Sequence, residues 1–398
     1  MKRIYIGRRA ALAGGVAAFA SPAVLRAQND PIKLATLTPL TGAGGSYGPT
    51  MAKVAASVVE EVNKAGGVLG RRVVLVSEDD QTSPEPAVRA ARKLIDVDKV
   101  AAIMGTWASS VTTAVAPLCW ESKTFLCTVS GADSITLLPH QGFLIRTQPN
   151  STLQVTRVGE FILSLGAKKV FTMIPQTPFT QATFDILNAV LPKGGATHQS
   201  LIYDDKKTTY RTEVDQALRT SPDVILANGY TPDSIVLLKD LYRAGFKGKI
   251  LGFAYSINQK LIDQIGQPEV VEGVYTFAPS PAEGSTAYEK VKAAVGSANP
   301  DPYTCQVYDH TNMVLMSMAF AKEASGTAIK DNIRKVTQGG GKAVDNAADG
   351  IKAIAAGEKV DYTGASGPCD FDDKGDILDC KFRYEQIKSG KFTVVKIA

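Results

Sequence analysis

Strand-length apolar runs alternate with helix-length amphipathic ones along most of this chain, and two-residue hairpin signals are almost absent before residue 365. That alternation admits few architectures: parallel sheets covered by helices on both faces. The unit is clearest at 32–48, IKLATLTPLTGAGGSYG, where an apolar strand pattern (Ile32, Leu34, Ala35, Leu37) passes through a glycine-rich turn into a helix. Met51, Val54, Ala55, Val58, Val59 and Val62 recur at the helical period and predict one buried stripe. Gly66-Gly67 ends that helix, and 72–79 is the next strand. A strand, a loop of small residues and a helix N-terminus set backbone N–H groups and hydroxyls at a sheet edge, a geometry that binds anionic groups.

The pattern then repeats. Ser83-Pro84 starts a helix, 100–104 is a buried strand, and 105–110 is a loop in which Ser109 or Ser110 suits the N-cap of a helix reaching Trp120. Strand 124–128, loop 129–134 and strand 143–146 close a first sheet. After a crossover at 147–152 the alternation restarts, with helices 152–165, 180–191, 208–219 and 233–244 set between strands 169–174, 199–203, 223–227 and 249–253. Residues 285–357 read as mostly helical, and the remainder returns to strands and hairpins. At 398 residues the chain exceeds one ordinary domain. The expected fold is α/β: two doubly wound, Rossmann-like lobes whose strand ends face a shared cleft, the place where small ligands bind.

The first 27 residues are a separate object. Lys2, Arg3, Arg8 and Arg9 precede the weakly apolar run 10–20, and a small-residue exit ends Leu25-Arg26-Ala27, the layout of a cleavable export signal. Arg8-Arg9 hints at the twin-arginine route, but its surroundings match that motif poorly. Removing 1–27 takes away five positive charges and no negative ones, bringing the formal net charge from +5 to zero. Net charge therefore makes no case for nucleic-acid binding. Five cysteines fit an oxidising compartment. Cys369 and Cys380 flank DFDDKGDILD, a hairpin pattern turning near 373–376, and a disulfide is expected between them; Cys119 and Cys127 read as buried free thiols.

Enzyme readings fail on the residues. His140, His198 and His310 are scattered, each expected at the surface or half-buried, with no HxxxH or CxxC partner, so neither a metal nor a cofactor is expected. Ser130 has Thr128 where a nucleophile elbow needs glycine, and Tyr47 stands at the third glycine of a dinucleotide fingerprint. Asp79-Asp80 and Asp204-Asp205 sit at strand ends, where solvated or capping roles are usual. Three loops, 39–48, 105–110 and 129–134, share the C-terminal edge of the first sheet. They offer the Ser109 and Ser110 hydroxyls, the N–H groups of Ala132 and Asp133, and the rings of Tyr47 and Trp107. Hydroxyls with N–H groups suit a carboxylate; the rings suit an apolar side chain.

In order along the chain, LTPLTGAGGSYG, AGGVLGRRVVLVSEDDQTSP, GTWASS, AVAPL, GADS, RTQPN, GAKKV, PDVILANGY and EGVYTFAP resemble periplasmic substrate-binding proteins of the leucine/isoleucine/valine type, which serve ABC importers. The resemblance covers about 31–395 and implies a type I two-lobed binding protein with three hinge crossings, lobes at 31–148 plus 279–358 and at 149–278 plus 359–398. It implies lobe closure on the ligand, an inner-membrane permease as partner, a monomer, and no catalysis. Residue by residue, it implies that Ser109 and the Ala132 backbone hold the carboxylate, that Tyr47 is an aromatic wall, and that Phe179 and Tyr230 come from the second lobe.

Two departures bear on the ligand. Asp133 replaces the family's threonine, and Ala254, in Gly252-Phe253-Ala254-Tyr255, stands where an acid usually meets the ligand's ammonium. A buried ammonium without a counter-charge costs several kcal/mol. Either Asp133 supplies that charge, or the ligand is an amino-free aromatic carboxylate or amide, which the rings Tyr47, Trp107, Phe179, Tyr230, Phe253 and Tyr255 would suit. The expectation is an importer's binding component for an amino acid or related small carboxylate. A receptor-type sensor lobe is disfavoured because nothing apolar follows Ala398, while a free-standing ligand-sensing partner of a membrane receptor stays open as the alternative.

Overall fold

The computed structural model describes residues 30–398; the segment 1–27, expected to be an export signal, lies outside the described residues. Two sheets form the frame. In the first, β1 (Ile32–Thr38), β2 (Val73–Asp79), β3 (Ala102–Thr106), β4 (Phe125–Thr128) and β5 (Leu144–Arg146) lie in the order β2-β1-β3-β4-β5, all parallel. The crossovers are α1 (Gly48–Lys64), α2 (Pro84–Arg92) and α3 (Ser109–Ser122). Helix α1 buries the predicted stripe from Met51 to Val62, and its exit turn uses Gly66 and Gly67 at φ 107° and 76°, where a side chain would be strained.

The second lobe repeats the scheme with α4 (Ser151–Ser164), β6 (Lys169–Pro175), α5 (Thr183–Val190), β7 (Thr197–Tyr203), α6 (Arg211–Leu218), β8 (Val224–Ala227), α7 (Thr231–Arg243), β9 (Lys249–Phe253), α8 (Gln259–Ile265), α9 (Pro268–Val271) and β10 (Tyr275–Pro279). The chain returns to the first lobe for α10 (Thr286–Val295), α11 (Pro302–Ala321) and α12 (Gly326–Thr337), then β11 (Lys342–Val344), α13 (Ala347–Ala355), β12 (Val360–Gly364) and β13 (Gly367–Pro368). Finally β14 (Phe382–Lys388) and β15 (Lys391–Ile397) form an antiparallel hairpin at one edge of the second sheet, whose order is β15-β14-β10-β9-β8-β6-β7. Helix α11 is buried from Tyr303 to Ala319, between α1 and α12. Among the described residues no helix is long and apolar enough to cross a membrane.

Three local expectations change. Ala108, not a serine, is the N-cap of α3; Ser109 sits inside the first turn because its hydroxyl is used elsewhere. The third crossing between lobes falls near 379–381, not at 358–359. Val360, Tyr362, Ala365, Cys369 and Phe371 are buried in the first lobe's core, and the 370–378 turn adds to the edge of β5. Cys369 and Cys380 are free thiols: Cys369 points into that core while Cys380 packs against the second lobe's, so the same crossing separates them. The hairpin turn itself is present, with the N–H of Asp372 donating to the carbonyl of Asp376 and a bridge between Phe371 and Ile377.

Candidate functional site

Because both sheets are parallel where they face one another, the C-terminal ends of their strands deliver loops and helix N-termini to one cleft. The first lobe contributes Trp107, Ala108 and Ser109 at the start of α3, Val129 and Gly131 after β4, and Tyr303 in the first turn of α11. The second contributes Phe179 and Thr180 after β6, Asn228, Gly229 and Tyr230 leading into α7, and Tyr255 after β9. These enclose a cavity of about 480 Å³ counted out to its mouth, with about 40 Å³ of clear interior, room for a few waters. Rings take the rest. Trp107 packs against Tyr230 and Tyr255 with centroids 5.6 and 6.2 Å apart, and Phe179 against Tyr255 at 6.0 Å.

Five of the expected site residues stand on this wall: Trp107, Ser109, Phe179, Tyr230 and Tyr255. The others do not. Tyr47 is one layer behind, stacked on Trp107 at 5.5 Å; its hydroxyl donates to the Ala254 carbonyl at 3.0 Å and accepts from Asn258 Nδ2 at 2.8 Å, both across the cleft. Ala254 therefore clasps the lobes instead of lining the cavity. Ser110 is half-buried further along α3. The Ala132 N–H donates to Ser109 Oγ at 3.2 Å, so the two groups expected to hold a carboxylate meet each other. Asp133 is spent on Thr152, whose N–H and hydroxyl donate to it at 3.1 and 2.8 Å, and it does not supply a charge to the cavity.

Gln148, Gln154, Asn228 and Tyr303 were not foreseen as site residues. Asn228 lies in the quoted NGY and Gln148 in RTQPN, so position after a strand was the available signal; Tyr303 had none, since only the packing of α11 brings it here. Asn228 is fully buried, its Oδ1 accepts from the Tyr255 hydroxyl at 2.6 Å, and its Nδ2 has no partner. Among the described residues no Asp, Glu, Lys, Arg or His lines the cavity. Burial, with Asp205, Asp233 and Asp80 nearby, pushes the Tyr230 phenol up to about 12. Asp80 is itself fully buried, with Oδ1 accepting from the Thr82 N–H at 2.7 Å and Oδ2 unpartnered, its pKa raised to about 7 chiefly by burial; of the two roles expected at this strand end it has the capping one, not the solvated one. His310 is buried on α11, not half-exposed, and pairs with the Thr147 hydroxyl at 2.7 Å.

Ser130 has no free hydroxyl for chemistry, as it bonds the carbonyls of Thr106 and Trp107 at 3.2 and 2.8 Å. Among the described residues no group of three His, Cys, Asp or Glu side chains could hold a metal.

Two α/β lobes, three crossings and one ring-lined cleft define a binding protein. The periplasmic binding protein family matches residues 31–391, and the chain belongs to that family. An amino acid binding protein from Pseudomonas aeruginosa is 26% identical over 290 residues, which is 71% of this chain and 76% of that one. The fold is similar to that of a leucine-binding protein from Thermotoga maritima, with a TM-score of 0.78 and 22% identity over 92% of this chain and 98% of the other. It is also similar to that of an ABC-transporter solute-binding protein from Rhodopseudomonas palustris HaA2 solved with p-hydroxybenzoic acid, with a TM-score of 0.76 and 17% identity over 93% and 97%.

Proposed function

We propose that this protein is the exported solute-binding component of an ABC importer, working in the periplasm and delivering to a membrane permease a small ring-bearing carboxylate or amide that lacks an ammonium group. The observation carrying this reading is a cavity walled by Trp107, Phe179, Tyr230, Tyr255 and Tyr303 with no charged side chain on it. An α-amino acid would bury its ammonium there without a counter-charge, at several kcal/mol. A carboxylate fares better, because α3 and α7 both direct their N-termini at the cavity and the Ser109 hydroxyl is free to donate. The unpartnered Asn228 Nδ2 suits an acceptor elsewhere on the ligand, such as a phenol or carbonyl oxygen. A ligand ring takes the place of ring-on-ring contacts as the lobes part and close again.

A thermal-shift panel of 4-hydroxybenzoate, benzamide, leucine and phenylalanine on the protein without residues 1–27 tests this. A ligand at 100 times its Kd adds ~2.7 kcal/mol. The aromatic acid or amide raises the melting temperature and the free amino acids do not; stabilisation by leucine alone overturns the reading. The second reading, an α-amino acid, is favoured by the unpartnered Asp80 Oδ2, and it requires that Asp80→Asn abolish leucine binding.

A further inference from the structure

Three glutamines run through the protein interior from the hinge to the ligand cavity. Gln306, on the first lobe's α11, donates from Nε2 to Oε1 of Gln148, on the crossing between β5 and α4, at 2.8 Å. Gln148 donates in turn to Oε1 of Gln154, in the first turn of the second lobe's α4, at 3.1 Å, and Gln154 Nε2 donates to the Pro149 carbonyl at 2.5 Å. The three are 1%, 3% and 2% exposed, so the chain is buried. Gln148 and Gln154 stand on the ligand cavity. Gln306 does not. It lines a separate small pocket beside Pro279, Ser280, Pro281 and Cys380, where all three crossings meet, and its Oε1 has no partner.

Each amide in such a chain fixes the sense of the next, because one end donates and the other accepts. The chain also touches both lobes and the crossing between them. We propose that Gln306 is a positioning residue for ligand binding: from the hinge, it sets which end of the Gln148 amide the ligand meets, and it ties occupancy of the cavity to the angle between the lobes. The inference rests on the cleft being the ligand site.

Two variants test it. Gln306→Met keeps length and apolar bulk but ends the chain; Gln306→Glu can only accept, so it requires Gln148 to turn its donor toward position 306. Loss of one buried hydrogen bond predicts that Gln306→Met weakens 4-hydroxybenzoate binding about five-fold, and that Gln306→Glu shifts the ratio of 4-hydroxybenzoate to 4-hydroxybenzamide affinity by about the same factor. A residue that only holds the fold would leave that ratio unmoved. Small-angle scattering without added probe is expected to show both variants more open than wild type. Unchanged scattering together with an unchanged affinity ratio overturns the relay. If wild type binds neither probe, the proposed function fails, and scattering alone decides the hinge role.

Discussion

Asn228 uses its amide oxygen on Tyr255 and leaves its NH₂ group unpaired inside the cavity wall. Buried donors without partners cost ~1–3 kcal/mol, so a ligand acceptor placed there recovers that cost on binding. Asn228→Asp keeps the shape and exchanges the donor for a charge. It is expected to weaken 4-hydroxybenzoate at least about ten-fold, read by calorimetric titration, because the cavity then repels an anion. His310 makes a residue-scale prediction for stability. Burial lowers its pKa from the usual 6.5 to about 3, so between those values the unfolded chain binds a proton that the folded one refuses. Stability present above pH 6.5 is therefore lost as pH falls toward 3, by up to ~1.4 kcal/mol per pH unit from this group. Asp80 and Asp309, raised by burial to about 7 and about 6, act in the opposite sense, so the net acid response is shallower. His310→Gln should lose less stability than wild type between pH 6.5 and 4, as urea unfolding at each pH would show.

Element by element, the site is held by what stands behind it. The 370–378 turn extends the edge of β5, with the Arg146 N–H donating to the Gly375 carbonyl at 2.8 Å. That register places Asp376 against the guanidinium of Arg146, which is fully buried and also donates to the Ala132 carbonyl in the loop after β4. Asp376→Ala leaves that cation without its partner, and removal of one member of a buried pair costs about 3–5 kcal/mol. A lower urea midpoint is expected, with weaker probe binding because the loop carrying Gly131 and Ala132 loosens. The same loop approaches the other lobe closely. A Cβ on Gly131 would lie 2.6 Å from Cε2 of Phe179, well inside contact distance. Gly131→Ala should therefore keep each lobe folded yet raise Kd at least about five-fold, since overpacking of this kind costs about 1–3 kcal/mol; unchanged affinity would show that Phe179 swings aside.

At the scale of the whole molecule, the lobes meet through a few polar contacts around the rings. Tyr47 reaches across with its hydroxyl to Ala254 and Asn258, and Arg383 on β14 pairs with Glu283 on the crossing after β10. Tyr47→Phe keeps the stack on Trp107 and removes only the hydroxyl clasp. Scattering of the free protein should shift toward open forms, and probe affinity should fall about five-fold, the weight of a single hydrogen bond. The unfolding midpoint should stay close to wild type, because neither core changes.

Most of the frame was legible in the sequence because the forces behind it are local. The stripe from Met51 to Val62 has one period and one way to be buried, Ser83-Pro84 marks the start of α2, and 249–253 is a strand to the residue. Parallel sheets then follow from the alternation, and the loops at the C-terminal end of the first sheet offered Trp107 and Ser109, whereas Tyr230 and Tyr255 were named through the family resemblance. What the sequence could not carry was the partner of each polar group. Whether Asp133 faces the ligand or Thr152, whether Cys369 meets Cys380, and whether Tyr303 and Gln148 reach the cavity all depend on which distant segments pack side by side. Periodicity records which face of an element is buried; only the assembled lobes decide what it is buried against, and so leave this cleft without a charge on its wall.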